Sequence, residues 1–303
     1  MSPPYSKNGC EGMKLFVFGL GYSALATARR LMADGWQVAG TTRSKEKQAA
    51  LKAQGISAHL YAEGALSPSM LHELEDVTHL LQSIAPGSNG DQVIAGLQAI
   101  SVPGKLCWIG YYSTVGVYGD FKGEWIDESA NCAPVNPRSQ ARIVAERDWG
   151  AYANCHDLPL FILRLAGIYG PGRSTFDKLR KGTSRRIIKA GQVFNRIHVE
   201  DIGEITRQAA RQQLAGIFNG ADDEPAPPQD VIVYAAEMLG VGAPPELPFE
   251  TAEMTPMARS FYADNKRVSN QAIKQALGYS FKFPTYREGL RSVFAADAGQ
   301  SPD

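Results

Sequence analysis

The stretch Lys14-Leu15-Phe16-Val17-Phe18-Gly19-Leu20-Gly21-Tyr22-Ser23-Ala24 decides how the chain is read. Its short apolar run has the length of a parallel strand buried on both faces. The run ends in Gly-Leu-Gly, which fits the pattern G-x-G-x-x-G/A. Ala24, Leu25, Ala28, Leu31 and Met32 then recur at helical spacing, and Gly35 supplies the stop. Strand, glycine turn and helix in this order make an anion cradle. Gly19 permits the tight turn, Gly21 lets backbone approach a pyrophosphate, and Ala24 allows close helix–strand packing. The helix N-terminus, with Tyr22 and Ser23 in its first turn, offers N–H groups and the positive end of the helix dipole. The expectation is dinucleotide binding through Gly19, Gly21, Tyr22, Ser23 and Ala24. The alternative is a packing turn with no ligand.

Working outward, strands and helices alternate. Trp36–Thr41 reads as a second strand, Lys45–Gln54 as a helix and Ser57–Tyr61 as a third strand. Thr78–Ile84 reads as a fourth strand, Asp91–Ile100 as a helix, Lys105–Tyr111 as a fifth strand and Leu160–Leu165 as a sixth. This alternation predicts an α/β fold with a doubly wound parallel sheet covered on both faces. Composition shifts late in the chain: residues 221–260 hold Pro225, Pro227, Pro228, Pro244, Pro245, Pro248 and Pro256. A second lobe of loops and short helices is expected there.

Composition narrows the class. Lys plus Arg and Asp plus Glu are 31 each in 303 residues, so the formal charge is zero, which argues against a dedicated nucleic-acid binder. No apolar run approaches the roughly eighteen residues of a spanning helix, so no membrane segment is expected. The first dozen residues are polar and read as a flexible tail, without the apolar core of a signal peptide. Cys10, Cys107, Cys132 and Cys155 form no CxxC pair and are expected to be reduced thiols in a cytoplasmic protein. No His/Cys/Glu cluster has the spacing of a metal site.

The second strand bears on the choice of coenzyme. An NAD-preferring domain carries a carboxylate there to accept from the ribose 2′-OH. This chain has Thr41-Thr42-Arg43-Ser44-Lys45 instead. Arg43 can fork onto a 2′-phosphate with Ser44 beside it, so NADP is expected, with NAD as the alternative. Solvated side chains at a helix start are the bland reading of the same residues.

The segments GLGYSA (19–24), STVGVYGD (113–120), PVNPRSQARIVAE (134–146), RLAGIYGPGR (164–173), RIHVEDIG (196–203) and IFNGADDEPAP (217–227) together resemble the extended short-chain dehydrogenase/reductase superfamily, its NAD(P)-dependent epimerase/dehydratase group. The likeness spans about residues 13–292. It implies a Rossmann dinucleotide-binding domain over 13–165, with 197–220 returning to it, and a small C-terminal substrate lobe mainly within 166–296. Residues 1–12 would be the tail. The resemblance further implies that Ile84 and Ala85, after the fourth strand, and Leu165, Ala166 and Ile168 line the cofactor. Thr114, four residues before Tyr118, is the family's Ser/Thr that polarises a substrate oxygen, with Ser113 the near alternative. Tyr118, Arg173 and Arg196 are candidate substrate residues, and the charge of the basic run Lys178–Lys189 reads either as an anion site or as a solvated basic loop.

One departure stands out. The family places Tyr-x-x-x-Lys on the following helix, where the tyrosine exchanges a proton with substrate. Here the positions hold Arg138 and Arg142. A guanidinium stays protonated and cannot be a general acid or base. Arg142 can still hold a ribose, or pair with Glu146 four residues on. Replacement groups for the proton are Tyr111, Tyr112, Tyr169 and His198. The resemblance implies carbonyl or alcohol oxidoreduction on a small, anionic or sugar-nucleotide substrate, and a homodimer. The missing pair points instead to an NADP(H)-binding sensor or partner-binding module without catalysis.

Overall fold

The computed structural model describes residues 12–299 except 63 and 89; the expected N-terminal tail and Cys10 lie outside the described residues, apart from Gly12. β1 (Lys14–Phe18) passes through a turn into α1 (Tyr22–Ala33), followed by β2 (Gln37–Thr42), α2 (Lys45–Lys52) and β3 (Ser57–Leu60). α3 (Pro68–Leu74), β4 (His79–Gln82), α4 (Gln92–Gln98) and β5 (Trp108–Thr114) come next. Then follow β6 (Trp125–Ile126), α5 (Pro137–Cys155), β7 (Leu160–Leu165), β8 (Gly167–Tyr169), α6 (Thr175–Arg180), β9 (Arg186–Ile188), β10 (Arg196–His198), α7 (Val199–Gln212) and β11 (Gly216–Gly220). The remainder holds α8 (Pro228–Leu239), β12 (Glu246–Pro248), α9 (Pro256–Ser260), β13 (Arg267–Val268), α10 (Gln271–Leu277) and α11 (Tyr286–Ala298).

Seven strands form one parallel sheet flanked by helices, in the order β11-β7-β5-β4-β1-β2-β3. Strand order reverses between β1 and β4. Leu15 of β1 pairs with Val38 of β2 on one side and His79 of β4 on the other. This reversal is where doubly wound sheets bind ligands, outside the carboxyl ends of the strands. The α/β expectation therefore holds. Differences in detail have physical reasons. β5 starts three residues later than read and runs on through Thr114. α3 begins at Pro68 and is capped by Ser67 Oγ, which accepts from Met70 N. β11 carries half-exposed Ile217 and Phe218 and so lacks the apolar run that marks an inner strand.

Two compact units are formed. The first comprises the described residues up to 113, with 141–163 and 202–217; the second comprises 114–140, 164–201 and 218 onward. In the first unit Phe16, Phe18, Leu80, Ile109 and Tyr111 of the strands pack with Ile94, Leu97, Ala145, Trp149 and Tyr152 of the helices. Each Phe, Leu or Ile side chain among them contributes about 1.5–3 kcal/mol on full burial. In the second unit Phe176, Val231, Ala235, Tyr286, Leu290 and Val293 make a separate core.

His79 is a buried polar group inside the first unit. It packs against Trp36 and Trp108, with ring centroids 4.5 and 5.8 Å away. Its Nε2–H donates to Ala210 O at 3.1 Å, which fixes the neutral tautomer. Burial holds the imidazole down at about 4, against the Ala210 hydrogen bond, which favours the charged form. In the unfolded chain the ring titrates near 6.5. Between those values the unfolded state binds the extra proton, so stability falls as pH drops from about 6.5 toward about 4, by about 3 kcal/mol at most. Urea midpoints across that range should show this loss and should flatten in His79→Gln. An equal slope in both proteins would remove His79 as its cause.

Candidate functional site

The turn after β1 is held by its backbone. Gly19 has φ +86°, and a Cβ there would lie 2.7 Å from Ile84 Cγ1, so both conformation and space exclude a side chain. Gly19 N donates to Thr41 Oγ1 at 2.8 Å, and Leu20 N to Thr41 O at 2.9 Å. β2 thus ties down the turn from below. Gly40 makes that approach possible, because a Cβ there would meet Val17 O at 2.5 Å.

Gly21 is different. It is the N-cap of α1 with φ −77°, and a Cβ there would meet only Gly19 O at 3.8 Å. No side chain caps the helix, and its first turn holds no acid. The first N–H groups of a helix have no intrahelical acceptors. Ser23 and Ala24 are buried against the sheet, while Gly21 and Tyr22 are partly open. The space above Gly21, the donors and the absence of negative charge fit a pyrophosphate. Arg43 is exposed at the end of β2, and Ser44 Oγ caps α2 by accepting from Lys47 N at 3.1 Å.

The loop after β4 is set by residues that carry no motif. Asp91 accepts from Gln82 Nε2 at 2.9 Å, from Val93 N at 2.9 Å and from the Trp149 indole N–H at 2.8 Å. The Gln82 carbonyl then accepts from Ile84 N at 3.0 Å. Ile84 is half-buried behind Gly19, and Ala85 is exposed. The sequence signal was a glutamine inside an apolar strand, with an Asp opening the next helix.

α5 presents Arg142 and Glu146 to the end of β5. Arg142 Nη1 donates to Tyr112 O at 2.5 Å and to Tyr111 Oη at 3.2 Å. Buried Glu146 accepts from the buried Ser113 hydroxyl at 2.5 Å. These side chains fasten helix to strand rather than forming a solvated face.

The groups considered as replacement acids are all buried. Tyr111 is stacked on Trp149, and burial pushes its phenol up to about 12 although Arg142 opposes this. Tyr112 Oη lies 2.7 Å from Thr27 Oγ1 and 2.9 Å from Thr206 Oγ1, and burial also raises it to about 12. In the second unit Tyr169 donates to Thr285 O at 3.4 Å, and burial pushes its phenol up, helped by nearby Asp222 and Asp201. His198 is buried between Tyr169 and Phe283, its Nδ1 accepting from Glu200 N at 3.2 Å. All four side chains are withdrawn from solvent.

Thr114 ends β5 half-buried, and its Oγ1 accepts from Gly116 N at 3.1 Å, leaving the hydroxyl proton to donate. Tyr118 requires a correction. It is fully buried, donates to Asn219 Oδ1 at 2.8 Å and carries the Arg164 guanidinium 4.8 Å from its ring centre. A substrate therefore finds no surface on it. Arg196 is corrected similarly: its Nη1 donates to Phe194 O at 2.9 Å and Ala226 O at 3.0 Å, which ties down backbone. The basic run is largely spent within the unit. Arg180 pairs with Asp297 at 2.6 Å, Arg186 with Glu246 at 2.8 Å, and Arg185 and Lys189 donate to the Glu253 and Tyr262 carbonyls. Arg173 and Arg138 are exposed; Leu165 and Ala166 are buried, and Ile168 is half-buried. Among the described residues no group of three or more His, Cys, Asp or Glu can hold a metal, and no helix is long and apolar enough to cross a membrane.

Asp91→Ala would leave the Gln82 amide, the Trp149 N–H and the Val93 N–H without their acceptor. The expected loss is about 2–4 kcal/mol, read from urea unfolding. A loss below about 1 kcal/mol would show that the loop does not depend on Asp91.

Residues 108–219, from β5 to β11, match the NAD dependent epimerase/dehydratase family. The chain is 27% identical over 290 residues to Protein YeeZ of Escherichia coli K12, covering 89% of this chain and 96% of that protein. A conserved protein of unknown function from Silicibacter pomeroyi is 47% identical with a TM-score of 0.87, covering 94% of this chain and 99% of that one. UDP-glucuronic acid 4-epimerase from Bacillus cereus, solved in complex with NAD, shares the fold at 18% identity with a TM-score of 0.73, over 96% of this chain and all of that one. The segment that holds Arg138 and Arg142 thus lies within the stretch that matches the NAD dependent epimerase/dehydratase family, and the chain as a whole shares the fold of solved epimerases.

Proposed function

We propose that the protein binds NADP(H) and acts on a carbonyl or alcohol of a small or sugar-nucleotide substrate carrying negative charge. The observation that carries this reading is the side-chain-free N-cap at Gly21, open above and anchored below through Gly19 and Thr41. Tyr22, Ser23 and Ala24 contribute the first helical turn, and Ile84 and Ala85 the neighbouring loop. Leu165, Ala166 and Ile168 are assigned to the cofactor by family position. Exposed Arg43, with Ser44, takes the 2′-phosphate, since a guanidinium fork matches its oxygens.

When bound, the nicotinamide supplies the two-electron transfer. The chain's own residues do the rest. Thr114 donates its hydroxyl proton in a hydrogen bond to the substrate oxygen, polarising it without giving the proton up. Exposed Arg173 holds a substrate anion, and Arg138 joins it when its contact with Ser260 opens. Arg142 fixes the end of β5 through the Tyr112 carbonyl and so sets the direction of the strand that delivers Thr114. With Tyr111, Tyr112, Tyr169 and His198 buried, the substrate proton comes from water or from the substrate itself.

The second reading, a coenzyme-binding sensor or partner-binding module that runs no reaction, is favoured by one specific finding: burial of every phenol and imidazole proposed to replace the missing tyrosine.

Calorimetric titration with NADPH and NADH tests the coenzyme assignment. Arg43→Ala should weaken NADPH about 10–100-fold while changing NADH less than about threefold. Equal loss for both would contradict the 2′-phosphate role. Gly21→Val should keep its Tm within a few degrees yet abolish binding of both coenzymes; retained binding would refute the cradle. Oxidation of NADPH in the presence of carbonyl substrates, lost in Thr114→Val, separates the enzyme from the sensor.

A further inference from the structure

We propose that residues 255–262 form a strap across the first turn of α5 and that Arg138 is its latch. The inference concerns the second unit alone and does not depend on coenzyme binding. None of the five residues of α9 is buried, and Met257 and Phe261 are 59% and 58% exposed. The segment is fixed at its two ends instead. Ala252 and Tyr262 are buried in a small cluster with Ile187. Arg259 donates to Ala252 O at 2.9 Å and lies 4.8 Å from the Phe249 ring centre, and Lys189 donates to Tyr262 O.

Between those anchors Arg138 supplies the hold on α5. Its Nη2 donates to Ser260 Oγ at 3.0 Å, and its Cζ stands 5.5 Å from the Phe261 ring centre. Ser260 sends its own proton to Met257 O at 2.7 Å, which leaves its lone pairs for the guanidinium. The latch is thus one hydrogen bond to a neutral acceptor plus one exposed cation–π contact. Each is weak in water, so together they bias the strap toward the closed form by about tenfold. A strap held this way stays down most of the time and lifts thermally. Lifting it frees the Arg138 donors at the head of α5, the position at which this chain departs from the family pattern.

Amide hydrogen exchange on the full chain reads the strap directly. Arg259 N donates to Thr255 O, Phe261 N to Ala258 O and Tyr262 N to Arg259 O, so all three are slowed while α9 is formed. Arg138→Ala should raise exchange at these amides about tenfold and speed tryptic cleavage after Arg259, with the α8 amides unchanged. Arg138→Lys, which keeps charge but loses the planar fork, should fall between the two. Phe261→Leu leaves α5 untouched and should raise exchange a few-fold, which keeps the test valid if Arg138→Ala folds poorly. Unchanged exchange at 259–262 in Arg138→Ala, or in Phe261→Leu where the first variant does not fold, overturns the latch. An equal rise in α8 also overturns it, because that would be general loosening.

Discussion

A single steric constraint organises the first unit: backbone must pass between β2 and the loop after β4 with no side chain in the way. Gly19 meets it at φ +86°, with Ile84 on one side and Thr41 accepting its N–H on the other. Gly40 meets it from below, because the turn lies nearly in contact with the second strand. The Asp91–Gln82 network meets it from the side by fixing Ile84 N. The buried polar groups around the turn hold its backbone in place, and Gly21 leaves room above it.

The helix on which the resemblance would place a Tyr-x-x-x-Lys pair carries tethers to β5 and to a surface segment. Arg142 and Glu146 both face β5, one gripping a strand carbonyl and the other a buried serine hydroxyl. Both Arg142 bonds leave from one nitrogen, Nη1, so a single guanidinium corner holds the Tyr112 carbonyl and the Tyr111 hydroxyl together. Arg138 points to a surface segment of its own unit. At these positions α5 carries tethers, and the phenols near the end of β5 are buried, with burial raising both to about 12.

Much of this was legible in the chain. The strand–glycine–helix stretch at 14–24 announces a doubly wound sheet, because apolar run, turn and helical spacing all agree. The bounds of Leu160–Leu165 follow from the sequence because its apolar run is broken by a single polar residue, Arg164. Pro68–Leu74 and Gly216–Gly220 were not read, since a short helix on Pro68 has too few periodic positions and an edge strand with open residues does not alternate. At the site, motif spacing identified Gly19, Gly21 and Arg43 as candidates, and the resemblance added Thr114. Tyr118 and Arg196 were also candidates, but Tyr118 is fully buried and Arg196 is bonded to backbone.

By itself, the sequence determined the fold class, the position of the glycine turn after β1 and the presence of Arg138 and Arg142 four residues apart on α5, because each depends on residue types at short, fixed separations. Tertiary structure alone decided which polar side chains remain available. Burial, and the partner a group finds from distant sequence, consumed Tyr111, Tyr112, Tyr118, Tyr169, His198 and much of the basic run. Hydrogen bonding to distant residues such as Asn219, Thr285 and Ser260 depends on how the chain is folded back on itself, and no local pattern encodes that.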